Sequence, residues 1–200
     1  MVLISCLLLQ INWTWKNPFD LWLIKHINNS WTSDGLDWVF SHARETLFWT
    51  PLYLFIFLHV IIRYGKKGAV WVVGFLITVA LSDIISSRII KELIYRIRPC
   101  QDPDVAPSLR FFINYCPQSS SFTSSHATSH FAQAMFLYLT LRHTGNGWAL
   151  AFLWALLIAY GQIYVGVHYP VDVIAGSLVG CIIGWTLSKA FHKNAGMLAS

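Results

Sequence analysis

Apolar positions in this chain come in long unbroken runs, and the polar residues are gathered into short segments between them. Crossing the roughly 30 Å hydrocarbon layer of a membrane takes about 20 mostly apolar residues in a helix. By that rule five spans are predicted: Leu47 to Ile62, Ala69 to Ile90, Ser124 to Leu141, Trp148 to Val165 and Val171 to Ala190. The third is the least hydrophobic and ends at Arg142 and His143. The expected fold class is all-α, a polytopic transmembrane helix bundle. Residues 1–45 break the pattern, because Met1 to Ile11 is apolar yet too short to span, and Phe19 to Trp31 carries Asp20, Lys25 and His26. We read this part as interfacial amphipathic helices anchored by Trp13, Trp15, Trp22, Trp31 and Trp38. A sixth span built from residues 1–25 is the alternative. Met1 to Gln10 lacks the basic start and small-residue cleavage site of a signal peptide. The chain is thus expected to be one membrane domain over 1–200, with an interfacial segment (1–45) and a helix bundle (46–193) that carries the site.

Composition agrees with the pattern: 56% of the 200 residues are hydrophobic and 12% charged, and mean hydropathy is +0.52. A net charge of +5 would suggest nucleic acid in a soluble domain. Here the basic residues flank apolar runs, which points to topology signals and anionic lipid; the bilayer is the expected partner and nucleic acid is not. If the five spans alternate, Arg63, Lys66, Lys67, Arg142, Lys189 and Lys193 share one side, which the positive-inside rule makes cytoplasmic. The loops Arg98 to Thr123 and Gly166 to Pro170 then share the opposite face, periplasmic if the membrane is a bacterial inner membrane.

Three clusters sit where apolar runs meet these loops. Lys91 and Arg98 are seven positions apart, so on one continuous helix they would lie two turns apart on the same side, placed to converge on an anion. The plainer reading is a pair of snorkelling cations at a span end. Ser124-Ser125-His126 opens the third span, where a hydroxyl caps the helix and free N–H groups attract phosphate; His126 could donate a proton there, or be a bystander behind an ordinary cap. His130 follows one turn later, behind His126 or simply packed. His168 and Asp172 are four apart, a spacing that lets a carboxylate orient an imidazole for nucleophilic attack, although an acid in a first helical turn is also common dipole chemistry.

Lys91-x6-Arg98-Pro99, Ser-Ser-His126 and Gln162-x5-His168-x3-Asp172, in this order, resemble the three-part signature of the type 2 phosphatidic acid phosphatase family, over roughly Ala69 to Ala190. The resemblance implies a metal-independent, cofactor-free phosphatase acting on a lipid phosphate or pyrophosphate, such as undecaprenyl pyrophosphate, phosphatidic acid, phosphatidylglycerol phosphate or lipid A, at the outer face of the membrane. It implies that His168 forms a phosphohistidine, that Asp172 orients it, and that His126 protonates the leaving oxygen. Lys91, Arg98, Ser124, Ser125 and Gln162 would hold the phosphoryl oxygens. Two departures stand out. The family's Pro-Ser-Gly-His is Thr123-Ser124-Ser125-His126 here, and its Ser-Arg pair is Gly161-Gln162, so one phosphate-binding cation is missing. Arg96, Arg110 and His130 are the candidates to replace it. The alternatives to hydrolysis are phosphate transfer by the same site and lipid-phosphate binding without turnover.

Other features bear on architecture. Gly176, Gly180 and Gly184 recur every four residues and predict close helix packing. Asp83, inside the second span, is expected to pair with Arg88 or Lys91. Cys100 and Cys116 bracket the loop between the first two clusters and could form a disulfide on the oxidising side. A di-iron oxygenase is disfavoured because His126-Ala-Thr-Ser-His130 has no second histidine box. A transporter or channel would explain the spans and Asp83, but would not require the three clusters on one face.

Overall fold

An apolar run in lipid folds as a helix because only there does one segment pair all of its own N–H and C=O groups. The computed structural model describes residues 11–12, 16–113 and 115–195. Two short N-terminal helices, α1 (Pro18–Lys25) and α2 (Asp34–Ala43), precede five longer ones. These are α3 (Thr50–Tyr64), α4 (Lys66–Leu93), α5 (Ser125–Leu141), α6 (Leu150–Tyr164) and α7 (Pro170–Ala195). Short connections at Gly65, between α5 and α6, and between α6 and α7 make those neighbours antiparallel. A long loop, 94–124, joins α4 to α5 and opens with β2 (Ile94–Tyr95), which pairs in parallel with β1 (Ile11–Asn12). A disulfide between Cys100 and Cys116, with Cα atoms 6.0 Å apart, closes that loop on itself.

Among the described residues, four segments are long and apolar enough to cross a membrane: Thr46–Tyr64, Lys66–Leu93, Asn146–Tyr164 and Pro170–Asn194. The 17-residue α5 is the exception. It packs against α4, α6 and α7 and buries Thr128, Gln133 and Thr140 along with its apolar residues, so neighbours rather than lipid satisfy its polar groups. The lipid-facing role falls to exposed side chains such as Leu54, Leu58 and Ile62 on α3 and Leu178 and Ile182 on α7.

The alternative sixth span falls largely outside the described residues. Its described helix, α1, has eight residues, too few to cross a membrane. Trp22, Trp31 and Trp38 are exposed, as headgroup anchors require; Trp13 and Trp15 lie outside the described residues. The N-terminal helices nonetheless do more than lie on a surface. Asn28 donates to the carbonyl of Tyr164 (2.7 Å) and accepts from the N–H of Arg110 (2.7 Å), while Phe40 packs on Tyr164. They form a lid of helix over one end of the bundle.

Helices α5 and α7 meet backbone to backbone. A Cβ placed on Gly180 would lie 2.2 Å from the carbonyl oxygen of Thr128, a contact that no side-chain movement relieves. Gly180→Ala is therefore expected to lower stability by about 1–3 kcal/mol, the usual penalty of overpacking, read as a fall in the thermal midpoint of detergent-purified protein. An unchanged midpoint would show that the two helices part freely.

Candidate active site

At the start of α5, Ser124 is the N-cap: its hydroxyl accepts from the N–H of Ala127 (3.4 Å) and its own N–H donates to the carbonyl of Asp172 (3.1 Å). The hydroxyl thus caps α5 itself, while the N–H ties the start of α5 to the first turn of α7. The N–H groups of Ser125 and His126, in the first turn, have no acceptor within the helix. Ser125 Oγ is in hydrogen-bond contact with Ser86 and Ser87, each at 3.0 Å. His126 lies beside His130, with ring planes 5° from parallel and centroids 6.3 Å apart.

Lys91 and Arg98 converge by another route than a shared helix face. The helix ends at Leu93, and Ile94 turns extended (φ −124°, ψ 106°) to join β2. Pro99 then excludes helical geometry for the residue before it, and Arg98 sits at φ −77°, ψ 151°. Its guanidinium is clamped from several sides. Nε donates to Ser119 O (2.7 Å), Nη2 to Ser119 Oγ (3.1 Å) and Ser120 O (3.2 Å), and Nη1 to Val167 O (3.1 Å) and His168 Nε2 (3.0 Å). Burial pushes the Arg98 pKa down to about 10, with the charge of Asp172 opposing and that of Arg44 reinforcing the shift; the group stays charged at neutral pH.

His168 follows the turn that closes α6. The carbonyl of Gln162 accepts from the N–H groups of Val167 and His168, and Gly166 supplies the left-handed φ of +77° that the reversal needs. Because Nε2 faces a donor, the ring proton resides on Nδ1. Burial pushes the imidazole down to about 3, against the upward pull of Asp172, so the ring is neutral and Nε2 carries no proton at physiological pH. Asp172 Oδ2 lies 3.8 Å from Nδ1, beyond direct hydrogen-bond reach. Ser121 stands between them, with Oγ 3.4 Å from Nδ1 and donating to Asp172 Oδ2 at 2.5 Å. Orientation of His168 by Asp172 therefore runs through a serine that the four-residue spacing did not disclose.

Behind Asp172 lies a buried ion network. Arg96 bridges Asp172 Oδ1 and Asp20 Oδ2, each at 2.6 Å, and Asp20 Oδ1 accepts from the N–H of Val171 (2.9 Å). Burial opposes the charge on Arg96, yet the two carboxylates outweigh it and hold the pKa above its ordinary value. The Tyr169 ring covers this guanidinium, its centroid 4.2 Å from Cζ.

In front of His168 lies a cavity of about 320 Å³, onto which Lys91, Arg98, Ser125, His126, Gln162 and His168 open, together with Asp83 and Arg44. Ser124 and Asp172 stand behind its wall. A second, more apolar groove of about 420 Å³ shares Asp83, Ser125 and His126 with it and runs between α3, α4 and α5 past Tyr53, Phe57 and Phe75. A polar chamber beside an apolar trough suits a molecule with an anionic head and a hydrocarbon tail.

The PAP2 superfamily profile matches residues 69–195. The chain belongs to the PAP2 superfamily. As a PAP2 protein it is an integral-membrane phosphoric ester hydrolase. It is similar to the lipid A 4'-phosphatase of Bacteroides thetaiotaomicron, with 28% identity over 82% of this chain and 73% of the relative. The Porphyromonas gingivalis lipid A 4'-phosphatase is 32% identical over 72% of this chain and 61% of its own length. The undecaprenyl-diphosphatase of Sulfolobus acidocaldarius is 30% identical over 84% and 76%. The crystal structure of Aquifex aeolicus LpxE superposes with a TM-score of 0.55 at 25% identity, covering 87% of this chain and 97% of that one.

Several expectations for this PAP2 protein need correcting. Arg96 and Arg110 do not open on the cavity: the first is held by Asp20 and Asp172, the second by Asp37. His130 lines the apolar groove, its Nδ1 2.8 Å from the carbonyl of His126 and its ring edge-on to Trp154. None of the three makes up for Gln162. Asp83 forms no ion pair with Arg88 or Lys91 among the described residues. It accepts from Ser87 (2.8 Å) instead and faces both cavities. Ser121 and Arg44 escaped the sequence reading altogether, and Asp20 figured there only as a polar residue of the N-terminal segment; each lies outside the three clusters and reaches the site only through folding.

Proposed function

We propose that this PAP2 protein removes phosphate from a phosphorylated membrane lipid at the face of the membrane away from the cytoplasm. His168 Nε2 attacks phosphorus as the P–O bond to the lipid breaks, giving a phosphohistidine and a lipid alcohol or monophosphate. His126 delivers the proton to the leaving oxygen, then takes one from the water that releases inorganic phosphate. Lys91, Arg98 and the first-turn N–H groups of α5 neutralise the charge on the equatorial oxygens, and Ser121 and Asp172 hold the imidazole proton on Nδ1. The observation that carries this reading is the neutral Nε2 of His168, 3.0 Å from Arg98, at the wall of a polar cavity continuous with an apolar groove. The Arg63, Lys66, Lys67 and Arg142 loops at the opposite end support the assignment of the cytoplasmic side.

Among lipid phosphates we place lipid A phosphate first, because relatives of that activity align over most of this chain. Undecaprenyl diphosphate is the second reading, on the strength of the Sulfolobus relative. Purified protein assayed in EDTA with lipid A, undecaprenyl pyrophosphate, phosphatidic acid and phosphatidylglycerol phosphate is expected to release inorganic phosphate, fastest from lipid A. Loss of release on adding EDTA would sink the metal-free mechanism. Disappearance of substrate phosphate into a second lipid, with none freed, would make the protein a phosphotransferase. No turnover of any substrate would leave a binding protein.

A further inference from the structure

Arg44 lies in the turn after α2 (φ −79°, ψ −16°), 118 positions before Gln162 (162 minus 44), yet its side chain enters the phosphate cavity beside Lys91, Arg98 and Gln162. The residue is 6% exposed. Its Nε is buried with no hydrogen-bond partner among the described residues, and its ion-pair contact, Glu45, stands at the 4.0 Å limit on a carboxylate that is 65% exposed. The Tyr115 ring centroid lies 5.8 Å from Arg44 Cζ and gives partial cover, but a buried guanidinium with no carboxylate closer than Glu45 among the described residues is costly unless something anionic joins it. Arg96 and Arg110, by contrast, each have a carboxylate in close contact. Lys91, Arg98 and Arg44 therefore face one chamber in which Asp83 is the acidic group, and Asp83 is turned to Ser87. The charge of Arg44 reaches far enough to be felt at Arg98.

Gln162 occupies the opposite case. It is 1% exposed and its amide makes a long 3.5 Å bond to the carbonyl of Ile158, so a neutral group stands where the family resemblance expects a cation. We infer that Arg44, delivered by the N-terminal helices, is the third phosphate-binding cation of this site and takes over the work of the arginine that position 162 lacks. The guanidinium fork can offer two parallel donors to phosphoryl oxygens, which a lysine cannot reproduce. The same residue makes the N-terminal segment a part of the site: without α2 seated on α6, the cavity has two cations instead of three.

This inference rests on the phosphatase reading of the cavity, and two measurements separate their fates. The first is the rise in thermal midpoint of the full-length protein with added inorganic phosphate, which reports anion binding whether or not the protein turns over. The second is kcat/KM for phosphate release from the best lipid of the panel. Arg44→Ala is expected to weaken phosphate binding and lower kcat/KM by about 10- to 100-fold, the usual size of a charge-assisted hydrogen bond, with Arg44→Lys in between. Arg44→Gln keeps a long polar side chain without the charge and is read in the same way if the alanine variant does not fold. Adding Gln162→Arg to Arg44→Ala should restore most of both quantities. Gln162→Arg alone should gain little, since three guanidinium groups would then crowd an anion that Arg44 and Arg98 already serve. Phosphate binding by Arg44→Ala equal to wild type would overturn the inference, and failure of Gln162→Arg to rescue would overturn the exchange between the two positions. A wild-type protein that binds phosphate through Arg44 but releases none from any lipid would sink the phosphatase reading alone.

Discussion

Replacing His168 with alanine is expected to abolish phosphate release, by about four orders of magnitude or more, as removal of a nucleophile does elsewhere. The imidazole is 2% exposed, and burial keeps it neutral by pushing its pKa down to about 3, so its Nε2 carries no proton at any physiological pH. Arg98 donates to that nitrogen at 3.0 Å; an arriving phosphoryl oxygen would take over the Arg98 donor and leave Nε2 aimed at phosphorus. No other imidazole stands at this position among the described residues: His126 opens on the cavity from α5, and His130 faces the apolar groove. The fold should survive the change. Asp172 keeps its bonds to Arg96, Ser121 and the N–H of Tyr169, and Arg98 keeps its carbonyl partners. The check is a single-turnover assay with radiolabelled lipid phosphate, in which wild type should pass through an acid-labile protein adduct that His168→Ala never forms. Turnover by the variant within tenfold of wild type would remove His168 from the nucleophile's role.

Arg96→Met should damage the protein in a different way, through folding. Arg96 is 3% exposed and holds two carboxylates that are fully buried, Asp20 and Asp172. Removing one member of a buried ionic cluster leaves the remaining charges uncompensated, which typically costs about 3–5 kcal/mol. Here two like charges would be left facing each other across the gap. The expected result is a large fall in the thermal midpoint, or failure to recover folded protein. Asp20→Asn should cost much less, because Arg96 still has Asp172 and the amide can still accept from Val171 N–H. Equal midpoints for wild type and Arg96→Met would show that this network is peripheral. Since Asp20 lies on α1 and Asp172 on α7, the same network latches the N-terminal helices to the first turn of the helix that follows His168.

Much of this was legible in the order of residues. Unbroken apolar runs dictate helices wherever water is absent, so the five long helices and their connections could be read from the runs alone. The short loop spacing around His168 and Asp172, and the capping residues before His126, likewise pointed to the segments that the fold brings together at one cavity. Helix period misled at Lys91 and Arg98, because Pro99 and the pairing of Ile94–Tyr95 with Ile11–Asn12 end the helix between them. The four-residue spacing of His168 and Asp172 predicted direct contact, and the structure places Ser121 between them. Asp83 looked like an ion-pair partner by proximity in sequence, yet the helix turns it toward a serine and the cavities.

The amino-acid sequence by itself determined that the chain is a membrane helix bundle with a histidine-bearing, cation-lined site at one end. Local rules suffice for that, because hydrocarbon enforces helices and short motifs carry their own geometry. Only the tertiary structure decided how the site is supported: Arg96 is held by Asp172 and Asp20, Ser121 stands between His168 and Asp172, and Arg44 reaches the chamber from the turn after α2, far away in sequence. Charges find these partners by burial, and which side chains are buried together is settled when the N-terminal helices close over the bundle, not by any spacing along the chain.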